Sequence, residues 1–150
     1  MLTPPTIHYS EHEVPQIITQ HLLPLLATYS IFTLTGTLGA GKTTLVKELL
    51  KQAGVTADVT SPTFAYVNTY TGAHGKVFHH FDLYRIETIE QFVTAGFEEY
   101  LHEANSICII EWPGVIENLL ASPLLQKRAC HITLTHDTAH RNRRIMTLEP

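Results

Sequence analysis

Gly36-Thr37-Leu38-Gly39-Ala40-Gly41-Lys42-Thr43 fits the phosphate-loop pattern G-x-x-x-x-G-K-[ST] at every fixed position. The octet constrains the fold because it works only between a buried strand and the start of a helix. Both neighbours comply. Ile31-Phe32-Thr33-Leu34 reads as a buried strand, and Thr44 to Gln52 reads as a helix. The glycines let successive backbone N–H groups turn inward around a polyphosphate. The helix beginning near Lys42 adds its positive end. Lys42 is expected to reach the β- and γ-phosphates, and the Thr43 hydroxyl to hold Mg²⁺. Gly36, Leu38, Gly39, Ala40, Gly41, Lys42, Thr43 and Thr44 form the expected nucleotide-binding set. The guanine-reading pattern N-K-x-D is absent, so ATP is the expected nucleotide.

The chain of 150 residues is expected to form one domain over 1–150 and to bury about 70% of its unfolded surface. A net charge of −4 argues against broad electrostatic attraction to nucleic acid, so direct RNA binding is not expected. Ten histidines make the charge more positive in mild acid. Cys108 and Cys130 lie in apolar runs and read as buried free thiols of a reducing cytosol. No zinc spacing, signal-peptide pattern or membrane-length apolar run occurs. A cytoplasmic location without membrane association is therefore expected.

Ser10 and Glu13 form a capping box opening a helix over about Glu11 to Leu23, with Pro24 ending or kinking it. A strand over Ser30 to Thr35 leads into the phosphate loop, whose helix stops at Gly54. Val59 to Thr63 is a loop. Phe64 to Tyr70 and Lys76 to Phe81 make a hairpin. Thr88 and Gln91 cap a short helix ending at Gly96, and another runs over Phe97 to His102. Ser106 to Ile110 is a central buried strand, and Val115 to Ala121 a helix. Arg128 to Thr135 and Arg143 to Leu148 are the last strands. The fold class is α/β, a three-layer phosphate-loop NTPase type with a mixed sheet flanked by helices.

A nucleotide-phosphate site needs a second metal anchor at a strand end. Asp82 ends the strand Val77 to Phe81 and suits that task, or caps the turn that follows. Glu111 ends the buried strand Cys108 to Ile110, where ligands bind in open α/β sheets. It would meet Mg²⁺ directly, meet it through water, or orient the attacking water. Thr63, in the loop Ser61-Pro62-Thr63-Phe64, has the hydroxyl of a γ-phosphate sensor. Trp112, the single tryptophan, would stack on a base, anchor a partner or cover the core edge. His79 and His80 point to opposite strand faces, which favours structural or hydrogen-bonding roles over ligation of one ion. Arg141, Arg143 and Arg144 form a small basic cluster able to reach phosphate or an acidic partner. The helix start near Ser10 and the loop after Thr135 are the candidate walls of an adenine pocket.

Four segments resemble one family in order and spacing: the phosphate loop, Ser61-Pro62-Thr63-Phe64, His80-Phe81-Asp82-Leu83-Tyr84-Arg85 and Ile110-Glu111-Trp112-Pro113. They are similar to the TsaE family, the ATPase component of bacterial threonylcarbamoyladenosine tRNA modification. The resemblance covers nearly the whole chain. It implies that Lys42, Thr63 and Glu111 are catalytic, that Thr43, Asp82 and Glu111 hold Mg²⁺, and that Trp112 and Arg141 join the nucleotide site. It implies TsaB and TsaD as partners, with tRNA reached only through their complex. ATP hydrolysis, slow alone, would reset that machinery rather than perform the transfer. Thr37 stands where the family usually has an acid, outside the phosphate contacts. His140 replaces a glycine common before the arginine, which loosens the placement of Arg141.

Two other activities fit the phosphate loop. A small-molecule kinase needs a lid with arginines, and Thr88 to His102 contains none. A nucleotide-gated binding subunit would need occupancy by ATP and no hydrolysis.

Overall fold

A computed structural model describes residues 3–150. Seven strands form one mixed sheet: β1 (Thr6–Ser10), β2 (Ile31–Thr35), β3 (Val67–Thr71), β4 (Val77–Asp82), β5 (Ser106–Glu111), β6 (Ala129–His136) and β7 (Arg143–Glu149). Their order is β1-β7-β6-β2-β5-β4-β3. The four central strands β6, β2, β5 and β4 run parallel, and β1, β7 and β3 pair antiparallel at the two margins. All six residues of β5 are buried, as expected of a strand covered on both faces.

Helices cover both faces. One layer holds the helical segment 11–27 and α2 (Lys42–Gln52), which presents Leu45, Val46, Leu49 and Leu50 to Phe32, Leu34, Ile107 and Ile109. The other layer holds α3 (Ile89–Thr94), the 3₁₀ turns Phe97–His102, α4 (Glu117–Leu120) and α5 (Pro123–Gln126). There Phe81 packs against Phe92, Phe97 and Tyr100, with ring centroids 5.5–6.1 Å apart. This three-layer mixed sheet is the fold class expected from the sequence.

Several boundaries differ from the sequence reading. β1 was not anticipated; it pairs with β7 from Thr6↔Thr147 to Ser10↔Arg143. The helical segment does not stop at Leu23. It starts as a 3₁₀ turn, passes through α1 (Val14–Ile17) and a π turn at Ile18–Leu22, and ends as a 3₁₀ turn over Leu23–Ala27. Pro24 has no N–H for the Gln20 carbonyl, so the chain coils on in a different hydrogen-bond pattern. The first hairpin strand begins at Val67, not Phe64. Tyr66 donates its N–H to the Pro62 carbonyl and adopts φ 62°, which breaks the extended run. The expected helix over Val115 to Ala121 is a 3₁₀ turn at Pro113–Ile116 followed by α4, and α5 is an addition.

Capping and burial match the sequence. Ser10 N and Ser10 Oγ both donate to Glu13 Oε2, at 2.7 and 2.6 Å. Gln91 N donates to Thr88 Oγ1 at 3.3 Å, and Thr88 N to Gln91 Oε1 at 3.4 Å. Cys108 and Cys130 are buried free thiols, pushed up to about 12 and about 11 by burial. Among the described residues no helix is long and apolar enough to cross a membrane.

Candidate nucleotide site

Sheet register brings the chemistry to one edge. Leu34 of β2 and Asp82 of β4 both lie opposite Glu111 of β5. The phosphate loop leaves β2 at the same level, at the C-terminal ends of the parallel strands, where open α/β sheets bind ligands.

The loop itself is shaped by two left-handed glycines, Gly39 at φ 77° and Gly41 at φ 99°. Gly36 lies so close to β6 that a Cβ there would sit 2.6 Å from the Leu134 carbonyl oxygen. Ala40 is fully buried and anchors the loop, its N–H donating to the Thr37 carbonyl. Leu38 projects outward. Gly41 caps α2, and among the described residues no side chain accepts from the first turn of that helix. Its early N–H groups therefore remain available to an anion, backed by the helix dipole.

Lys42 is buried, and its ammonium donates to the carbonyls of Gly36 at 2.7 Å and Thr37 at 2.9 Å. Burial pulls its pKa below the usual lysine value, and the neighbouring Glu111 and Asp82 carboxylates push part of it back. Its Nζ also stands 4.1 Å from the centre of the Trp112 ring. Trp112 adopts φ 58° and ψ 58°. Pro113 disfavours a right-handed helical conformation at the residue before it, and the left-handed turn swings the indole off the end of β5. Tyr84 also packs against the indole, with ring centroids 4.9 Å apart and planes tilted by 53°.

Thr43 Oγ1 lies 3.1 Å from both carboxylate oxygens of the buried Glu111. Asp82 Oδ2 accepts from Ser61 Oγ at 3.2 Å, and its Oδ1 accepts from the Tyr84 N–H at 3.0 Å. Thr43, Asp82 and Glu111 thus offer only oxygen donors, the set that suits a hard cation such as Mg²⁺. Among the described residues no group of three or more His, Cys, Asp and Glu side chains is arranged to hold a metal ion.

The structure does not bring every expected residue into this cluster. Thr63 is exposed and its hydroxyl donates to the Ser61 carbonyl at 3.3 Å. Ser61, not singled out from sequence, is the hydroxyl of that loop that touches Asp82. His80 was also missed as a member of the site: its Nε2 lies 2.7 Å from Glu111 Oε1. Strand alternation separates it from His79, which instead bonds Glu103 and Thr69 across β4.

Arg141 lies elsewhere, on the loop between β6 and β7. With Arg144 and Asn142 it lines a cleft of about 520 Å³ that Ser10 and His12 share with Gly39, Ala40, Gly41 and Thr44. The cleft thus joins both segments singled out as adenine walls to the side of the phosphate loop.

Comparison with known proteins agrees with this architecture. Residues 9–145 match the family described as threonylcarbamoyl adenosine biosynthesis protein TsaE. The chain belongs to the TsaE family. A Rickettsia bellii protein named tRNA threonylcarbamoyladenosine biosynthesis protein TsaE is 34% identical, over 89% of this chain and 96% of its own. A Rickettsia conorii protein of the same name is also 34% identical, over 83% of this chain and 73% of its own. The crystal structure of Bacillus subtilis YdiB superposes with a TM-score of 0.70 at 25% identity, covering 99% of this chain and 87% of that one. TsaE membership places the chain in tRNA threonylcarbamoyladenosine biosynthesis.

Proposed function

We propose that this TsaE protein is a Mg²⁺-dependent ATPase whose turnover, slow alone, is raised by TsaB and TsaD and resets their complex during tRNA modification. The observation that carries the reading is the contact of Thr43, the last residue of the phosphate loop, with the buried Glu111. A carboxylate held at that point has access to the metal and to water at the γ-phosphate.

In this reading the loop N–H groups and the α2 N-terminus bind the phosphates of ATP, and Lys42 releases its loop carbonyls to reach the β- and γ-oxygens. Thr43, Asp82 and Glu111 would hold Mg²⁺, which supplies neutralisation of charge on the transferring phosphoryl group. Glu111 also orients water for in-line attack. Ser61 positions Asp82, and Thr63 enters the site when its loop closes around the γ-phosphate. The adenine lies in the cleft beside Ser10, with Arg141 at its wall. Trp112 turns over Lys42 at the phosphate end and anchors a partner there. tRNA is reached only through the complex, in the cytoplasm.

Phosphate release from ATP and Mg²⁺ should be measured alone and with purified TsaB and TsaD. A slow rate that rises with the pair supports the reading. A rate unaffected by a pair that also fails to bind defeats the partner assignment. Sustained modification cycles on a nonhydrolysable ATP analogue would replace hydrolysis by gating through occupancy.

A further inference from the structure

His80 is fully buried, yet among the described residues its Nδ1 has no hydrogen-bond partner. Its Nε2 lies 2.7 Å from Glu111 Oε1. A bare ring nitrogen is cheaper to leave unpaired than an N–H, so the geometry assigns the proton to Nε2, donating to the carboxylate. The sheet explains the placement. His80 and Asp82 stand two residues apart on the same face of β4, and Glu111 lies directly opposite Asp82 on β5. His80 therefore approaches Glu111 diagonally from below, within the layer that also contains α2.

Burying an imidazole and a carboxylate costs free energy, and one ring nitrogen is left without compensation. A core position needing only volume is filled more cheaply by an aliphatic side chain. The two side chains form a chain of contacts His80–Glu111–Thr43 that ties β4, β5 and the first turn of α2. With Oε1 held from behind, the carboxylate cannot swing away from Thr43 without breaking that bond.

We infer that His80 is a positioning residue that fixes the direction of the Glu111 carboxylate towards the phosphate loop, and so governs turnover rather than ATP binding. The inference rests on the proposed role of Glu111 in hydrolysis. Its structural half, the orientation of Glu111, is independent of that role.

The test compares His80→Gln with His80→Asn, and each with the same change made in Glu111→Ala. Glutamine carries an N–H at a reach comparable to Nε2, whereas asparagine does not. Phosphate release with TsaB and TsaD should fall by about 10- to 100-fold in His80→Asn, the range expected when the support of a site carboxylate is removed. His80→Gln should recover most of it, and ATP affinity should stay near the wild-type value in both. In the Glu111→Ala background neither change should lower the rate further, because the effect passes through the lost carboxylate. A crystal structure of His80→Asn should show Glu111 rotated away from Thr43. Equal rates for the Gln and Asn variants, or losses that persist without Glu111, would overturn the inference. If the wild-type protein with its partners releases no phosphate, the ATPase reading fails instead, and the Glu111 rotamer in His80→Asn still decides the positioning claim.

Discussion

The Lys42 ammonium stands 4.1 Å from the centre of the Trp112 ring, and Trp112 reaches it from a left-handed backbone. The contact links the phosphate loop to the end of β5. Because Trp112 is the single tryptophan, its emission reports on this one spot. Phosphates that draw Lys42 off the Gly36 and Thr37 carbonyls would also change the charge over the indole. Adding ATP and Mg²⁺ should therefore alter tryptophan fluorescence, and Lys42→Ala should abolish the response. An emission spectrum unchanged at a nucleotide concentration that calorimetry shows to be saturating would refute the coupling.

Glu111 accepts from Thr43 and His80, so its removal leaves both hydrogen-bond donors without their carboxylate. Glu111→Ala should lower the turnover number by about 10²-fold, the low end for losing a group that handles the attacking water. ATP affinity should change far less, since phosphate is bound by the loop and Lys42. Single-turnover phosphate release together with equilibrium nucleotide binding separates the two quantities. An unchanged turnover number would remove Glu111 from the mechanism.

The phosphate loop was legible because its chemistry is local: eight consecutive residues carry the turn, the lysine and the hydroxyl. Asp82 and Glu111 were legible as acids ending apolar strands. The alignment of those strands was not, because it depends on β5 inserting between β2 and β4. For the same reason alternation showed that His79 and His80 diverge, yet not that His80 would meet Glu111. β1 escaped because only Tyr9 among its five residues is buried, and its partner β7 lies at the far end of the chain. Phe64 to Tyr70 looked extended because its composition suits a strand. A left-handed Tyr66 ends that pattern and leaves Phe64 80% exposed.

Gly54 ends α2 at φ 89°, and a Cβ there would lie 2.7 Å from the Ala73 nitrogen. That nitrogen donates to the Ala53 carbonyl, tying the helix end to the β3–β4 turn. Gly54→Ala should cost at least about 1–2 kcal/mol from the left-handed backbone alone. For a chain of this length the melting temperature should drop by several degrees. The phosphate loop is at the other end of α2, so ATP affinity well below the melting range should be retained. A melting temperature equal to wild type would show that the turn relaxes freely.

Asp137 anchors the loop that carries Arg141. Its Oδ1 accepts from the N–H groups of Ala139 at 2.9 Å and His140 at 3.2 Å, and its Oδ2 meets His8 of β1 at 3.3 Å. The Ala139 N–H, above all, holds its carboxyl below the ordinary value of 3.8. The folded state thus favours the ionised form more than the unfolded chain does. Its stabilisation is fully present above pH 3.8 and is lost as pH falls through the lower folded value. Asp137→Asn should lower the melting temperature at neutral pH, and the gap from wild type should close in acid. Glu13, held down first by its Ser10 hydroxyl bond, titrates in the same sense, so the variant should keep a shallower acid limb rather than lose it. A gap that stays constant down to low pH would mean that Asp137 acts through shape alone. If the gap closes as expected, ATP affinity measured at neutral pH becomes informative: weaker binding in Asp137→Asn would tie this loop, and Arg141 with it, to the nucleotide cleft.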